Sequence, residues 1–113
     1  MAISTVLTRS NGIDSSLTTV NTAQSPFSII IATHAGTVFV VDSSAGTIQF
    51  NLPAPVANTV FTIKDDGGNF ANFPITVHRF ASEQIENLDA DFICESAWGT
   101  WNFICNGTKW YLL

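Results

Sequence analysis

The chain has 113 residues, 46% of them hydrophobic and only 12% charged, with a formal charge of −5. That length makes one domain, and Arg9, Lys64, Arg79 and Lys109 are too few cations for the basic footprint that nucleic-acid binding needs. No apolar run approaches a membrane span, and the opening Met-Ala-Ile-Ser-Thr lacks the charged start of a secretory signal, so cytoplasmic synthesis with no membrane partner is expected. A surface this poor in charge must be built largely from Ser, Thr, Asn and Gly. It suits close protein contact, which predicts an oligomer or a larger assembly.

Residues 1–26 are rich in Ser, Thr and Asn, with aliphatics at no fixed period. They read either as a frayed terminus or as an extended arm that docks on a neighbour through Ile3, Val6, Leu7, Ile13, Leu17 and Val20. Residues 27–113 make the β domain. Segments 27–33, 37–42, 47–52, 60–64 and 75–80 have the β-branched and aromatic content of strands, and the stretches between them have turn chemistry. A faint echo links Thr37-Val38-Phe39 with Thr59-Val60-Phe61, each run closing on an Asp, as a pair of equivalent strands would.

Residues 92–113 read as a three-stranded antiparallel meander. A turn at Gly99-Thr100 sets Trp98 opposite Trp101 and Cys94 opposite Cys105, and Asn106-Gly107 supplies a second turn. Trp98, Trp101, Phe103, Trp110 and Leu112 then share one apolar face, expected in the core or at a subunit interface. Tyr111 points the other way and, with Lys109 and Asn102, is the candidate sugar-binding surface. The two cysteines are expected to be buried free thiols, since bridging across a hydrogen-bonded pair is awkward. About eight strands at short, regular spacing predict an all-β antiparallel sandwich of jelly-roll-like architecture.

Chemistry is less evident. Glu83 and Asp91 are the pair a glycoside hydrolase would require, but the acidic run from Glu83 to Glu95 reads as a solvated connection. Asp65-Asp66-Gly67-Gly68-Asn69 lacks calcium-loop spacing and reads as a turn. His34 and His78 have no partner at zinc-ligand spacing, and no serine sits in a nucleophile elbow. Asn106-Gly107-Thr108 matches a glycosylation acceptor, yet the same residues are what a hairpin turn asks for. The expectation is a protein without catalytic residues, metal or cofactor.

Several short motifs fall in a familiar order: Asp42-Ser43-Ser44-Ala45-Gly46-Thr47-Ile48 leading to Leu52-Pro53, then Phe61-Thr62-Ile63-Lys64-Asp65 with Gly68-Asn69, Pro74-Ile75-Thr76-Val77, and the closing Asn106-Gly107-Thr108-Lys109-Trp110-Tyr111. Together they resemble a β-sandwich module of virion proteins of tailed bacteriophages, over roughly residues 37–113. The resemblance implies a structural virion component, commonly trimeric and without enzymatic activity. Lacking a repetitive shaft, the chain looks more like a capsid decoration, or cement, protein than a complete tail fibre. Expected partners are further copies of the chain, as a homotrimer, and the major capsid protein or another virion protein. The rival reading is a tail-tip module that recognises host-surface glycan.

Overall fold

The computed structural model describes residues 16–113. In Thr37–Asp42 the side chains of Thr37, Phe39 and Val41 are buried while those between them face outward, the period of a strand with one covered face. The same alternation in neighbouring strands produces two stacked sheets. One has five strands in the order β1 (Ser16–Asn21), β3 (Thr37–Asp42), β5 (Val60–Asp65), β8 (Thr100–Cys105) and β9 (Trp110–Leu112). The other has four, in the order β2 (Phe27–Ser28), β4 (Ile48–Asn51), β6 (Ile75–His78) and β7 (Phe92–Cys94).

Up to β6 each strand is followed by one in the opposite sheet, and successive strands of the same sheet pair in parallel. Val20 lies beside Val41, Phe39 beside Ile63, and Phe27, Phe50 and Val77 form one inward row. The chain winds as a flattened coil that adds one strand to each sheet per turn. Antiparallel pairs then close its far end, β7 on β6, β8 on β5 and β9 on β8. The all-β two-sheet architecture agrees with expectation. The wholly antiparallel pairing does not, because each polar corner sends the chain to the opposite sheet, and the next strand of the same sheet then runs in the same direction as the last.

Those corners are built alike. Asn21 Oδ1 accepts from the Ala23 amide (3.1 Å) and Asp42 Oδ1 from the Ser44 amide (2.9 Å), so a short polar side chain turns the backbone where each strand ends. The Ser44 hydrogen bonds hold the Asp42 carboxyl below its ordinary pKa. Asp65 also ends its strand, β5, but its carboxylate turns inward to amides four or more residues away. The echo between Thr37-Val38-Phe39 and Thr59-Val60-Phe61 is therefore two neighbouring coils, and the Asp that closes each run is the corner.

Three local expectations are corrected. Cys94 does not face Cys105: β7 belongs to the four-stranded sheet and β8 to the other, so residues 95–99 cross between sheets and the Gly99-Thr100 hairpin does not form. The β8–β9 hairpin does form, with Cys105 opposite Trp110 and Phe103 opposite Leu112, its loop closed by the Asn106 amide on the Lys109 carbonyl. Residues 16–26, placed in the arm by the sequence pattern, belong to the sandwich instead. β1 pairs with β3, and Val20 is buried in this chain's own core, not presented to a neighbour. Within 27–33, only Phe27–Ser28 is a strand, and Ile31–His34 form one helical turn, α1.

Aromatic rings join the sheets. Phe39 packs edge-on to Phe50 across the interface (5.4 Å between centroids) and Phe92 meets Phe103 edge-on (5.8 Å), while within the five-stranded sheet Phe61 stacks on its cross-strand partner Phe103 (4.8 Å). Cys94 and Cys105 are free and buried, and desolvation pushes the Cys94 thiol far above its ordinary range. A thiol held away from its thiolate form reacts slowly. Neither cysteine should be modified by a water-soluble maleimide in the native state, and both should label once denaturant is added. Rapid native labelling, followed by mass spectrometry, would show that the core is not closed.

Candidate interaction surfaces

The residues that face outward from the five-stranded sheet are set by the same alternation that buries Phe39 and Ile63. Leu17, Val38, Thr62 and Asn102 form one row across it, Thr19, Val40, Lys64 and Thr100 a second, and Val60, Ile104 and Tyr111 a third. Leu17 is 58% exposed and Val60 36%, while Val38, Val40 and Ile104 are half-buried. A groove of about 270 Å³ runs along this face between Val38, Val60 and Leu113. The Thr62 hydroxyl, which donates to Asn102 Oδ1 (2.7 Å), lies in that groove. Lys64 is the cation in these rows, and its Nζ is turned back to the Trp98 carbonyl. The face mixes Leu17, Val38, Val40, Val60 and Ile104 with threonines, Asn102 and Tyr111, and carries little charge.

The expected apolar side of the C-terminal ribbon divides into three environments. Trp110 and Phe103 are fully buried, Trp101 and Leu112 are partly buried against the core, and Trp98 is exposed. The β8–β9 members keep their common face because the observed register differs from the expected one by two residues, and a two-residue slip leaves every side chain on its original side. Trp98 leaves the group because the hairpin that would hold it is absent. Of the arm residues, Leu17 lies on the outer aliphatic face and Val20 in the core. Ile3, Val6, Leu7 and Ile13 lie outside the described residues.

Of the candidate sugar-binding residues, Tyr111 and Lys109 are in contact, and Asn102 lies on the same outer face in the neighbouring row. Lys109 Nζ lies over the Tyr111 ring (5.6 Å to its centroid) and donates to Asn87 Oδ1 (2.7 Å), and the Asn106 amide group donates to the Tyr111 hydroxyl (3.3 Å). Asn102 is engaged with Thr62 in another row. The acidic residues are similarly occupied. Glu83 accepts from the Phe80 and Ala81 amides (2.6 and 2.8 Å), and Glu86 from the Leu112 amide (2.8 Å). Asp91 accepts from His78 Nδ1 (2.8 Å) and the Arg79 amide (3.0 Å). Partial burial opposes ionisation of Asp91, but the hydrogen bonds from His78 and Arg79 and their charges outweigh it and hold the carboxyl below its usual value. These carboxylates tie loops to strands. Among the described residues no three His, Cys, Asp or Glu side chains converge as a metal site would require.

The residue that sequence reasoning missed is Asp65. It is fully buried, its Oδ2 accepting from the Trp98 amide (2.8 Å) and the Phe70 amide (3.2 Å), its Oδ1 from the Asn69 amide (3.3 Å). A signal was present: Phe61, Ile63 and Asp65 share one strand face, so the alternation that buries the first two also buries the carboxylate. One loop, residues 65–70, and the crossing at Trp98 are thereby pinned to a single group. No protein-family model matches the chain, and no curated protein matches it.

Proposed function

We propose that the chain is a structural virion protein, a capsid decoration protein whose copies associate with one another, as a homotrimer, through the outer face of the five-stranded sheet, and bind the outside of the shell. The observation that carries this reading is the aliphatic outer face around Leu17, Val38, Val40 and Val60, on a protein whose carboxylates are largely engaged in holding loops. Covering such a face with a second copy removes apolar area from water at roughly 25 cal/mol per Å² before association costs. Ile3, Val6, Leu7 and Ile13 serve as shell contacts in this reading. Binding that exists only on the assembled shell adds to shell stability by linkage, and a threefold assembly gains further from effective concentration. The role is mechanical and uses no cofactor.

Replacing both Val38 and Val40 by glutamate tests the proposal. Both side chains are half-buried on the outer face and neither lies in the core. The double variant is expected to keep its β-sheet circular dichroism, to sediment as a 12.2 kDa single subunit, and to occupy purified shells less than the parent. A parent protein that itself sediments as one subunit and leaves shells bare overturns the reading. The alternative, a tail-fibre or tail-tip module that recognises host-surface glycan, is favoured by a different observation, the exposed Trp98 indole.

A further inference from the structure

Trp98 is held in a way that core packing does not require. Its φ is +64°, a left-handed conformation in which a bulky side chain is rare, and its side chain is 61% exposed. Both backbone polar groups of this residue are engaged: the amide donates to buried Asp65, and the carbonyl accepts from Lys64 Nζ. The turn around it is closed by the Gly99 amide on the Ser96 carbonyl. The indole rests on Gly68, where a Cβ would lie 2.5 Å from Nε1 and 2.7 Å from Cε2, so only glycine leaves room for the ring. Behind it Phe70 stacks on Trp101 (5.6 Å between centroids), and Gly99 packs against the Trp101 ring.

A strained backbone conformation, a buried carboxylate and a glycine shelf thus converge to hold one indole out in solvent. Asparagine or glycine would satisfy the backbone at lower cost, so the ring itself is what the arrangement preserves. We propose that Trp98 is a preformed stacking platform for the apolar face of a sugar ring, and that this turn is a saccharide-binding site. The surroundings favour a sugar over a protein. The two turns that meet at the ring, residues 65–70 and 95–99, carry the exposed polar side chains of Asp66, Glu95 and Ser96, the residue types that hydrogen-bond sugar hydroxyls. The backbone of the residue is pinned on both sides of its Cα and the ring rests on Gly68, which limits the ordering that binding must supply. The site adjoins the outer face at Lys64, whose Nζ bonds the Trp98 carbonyl, and it rests on the glycan-recognition alternative given above, not on association of copies.

The test uses the intact chain on an array of hexose-, deoxyhexose- and amino-sugar-containing oligosaccharides, followed by titration of any retained sugar while tryptophan emission is recorded. The parent is expected to retain a defined subset and to change its emission on titration. Trp98→Asn is expected to be at least as stable to urea as the parent, because asparagine tolerates the left-handed backbone, and to lose both retention and emission change. Trp98→Tyr, which keeps a ring, is expected to retain the same subset more weakly. The proposal is overturned if the parent retains no sugar, if Trp98→Asn retains the same ones, or if Trp98→Asn unfolds, which would make the indole a structural plug. Loss of shell occupancy in Trp98→Asn without any sugar retention by the parent would assign the ring to a protein partner instead.

Discussion

Trp110→Ala is expected to lose about 3–5 kcal/mol of folding stability, the range for truncating a large buried aromatic side chain. The indole is fully buried and packs edge-on to Phe61 (5.4 Å), which in turn stacks on Phe103. Its backbone binds a further segment: the Trp110 amide donates to the Gln84 carbonyl and the Glu86 amide to the Trp110 carbonyl, so β9 also anchors the loop that carries buried Ile85. Against a total of roughly 5–15 kcal/mol for a domain of ordinary stability, the loss leaves little folded protein under mild denaturant. The phenylalanine variant separates ring packing from polarity. Among the described residues Trp110 Nε1 is buried without a hydrogen-bond partner, so Trp110→Phe removes an unsatisfied donor while keeping much of the ring, and its cost should be far smaller. Urea titrations of the two variants check both expectations. A loss below about 1 kcal/mol for alanine would mean that the ring is not a core element.

Asp65→Ala carries the second large effect, about 3–5 kcal/mol, and by a different mechanism. It adds little cavity, but it strips the acceptor from three backbone amides, of which the Phe70 amide is buried. Each hydrogen bond to a charged group contributes about 1.5–3 kcal/mol, and orphaned buried donors carry their own desolvation cost. Asp65→Asn should recover little of the loss. Its amide would turn two donors toward a site already lined by donors, leaving one acceptor for amides that now bond both carboxylate oxygens. The measurement is paired: urea denaturation for the magnitude, and amide hydrogen exchange for the place, with protection expected to fall at Asn69, Phe70 and Trp98. Stability within about 0.5 kcal/mol of the parent would remove Asp65 from its position as the hub of this corner.

Strand content and inward-facing positions were legible because alternation with period two is a local property. Residues 37–42 are an example, read as a strand with Phe39 on one side and found as β3 with Phe39 in the core. β1 escaped notice because Ser16-Leu17-Thr18-Thr19 carries too few apolar residues to show a covered face. The helical turn at Ile31–His34 escaped because a short apolar run does not distinguish helix from strand. Asp65 is legible in principle, as a charge at an inward position, but the Asp-Asp-Gly-Gly-Asn run that it opens has the chemistry of an exposed turn.

Residue order alone dictated which segments are extended, which side chains face inward, and where the polar corners fall, since each follows from the pleat and from turn chemistry a few residues long. Only the three-dimensional packing decided that β7 pairs with β6 and not with β8, that successive coils run in parallel, and that Trp98 is turned outward. The reason is that alternation names a strand's buried face but not its hydrogen-bonded neighbour, and parallel and antiparallel partners present the same inward rows. That choice rests on contacts between residues distant in the chain, among them the Asp65 carboxylate reaching the Trp98 amide.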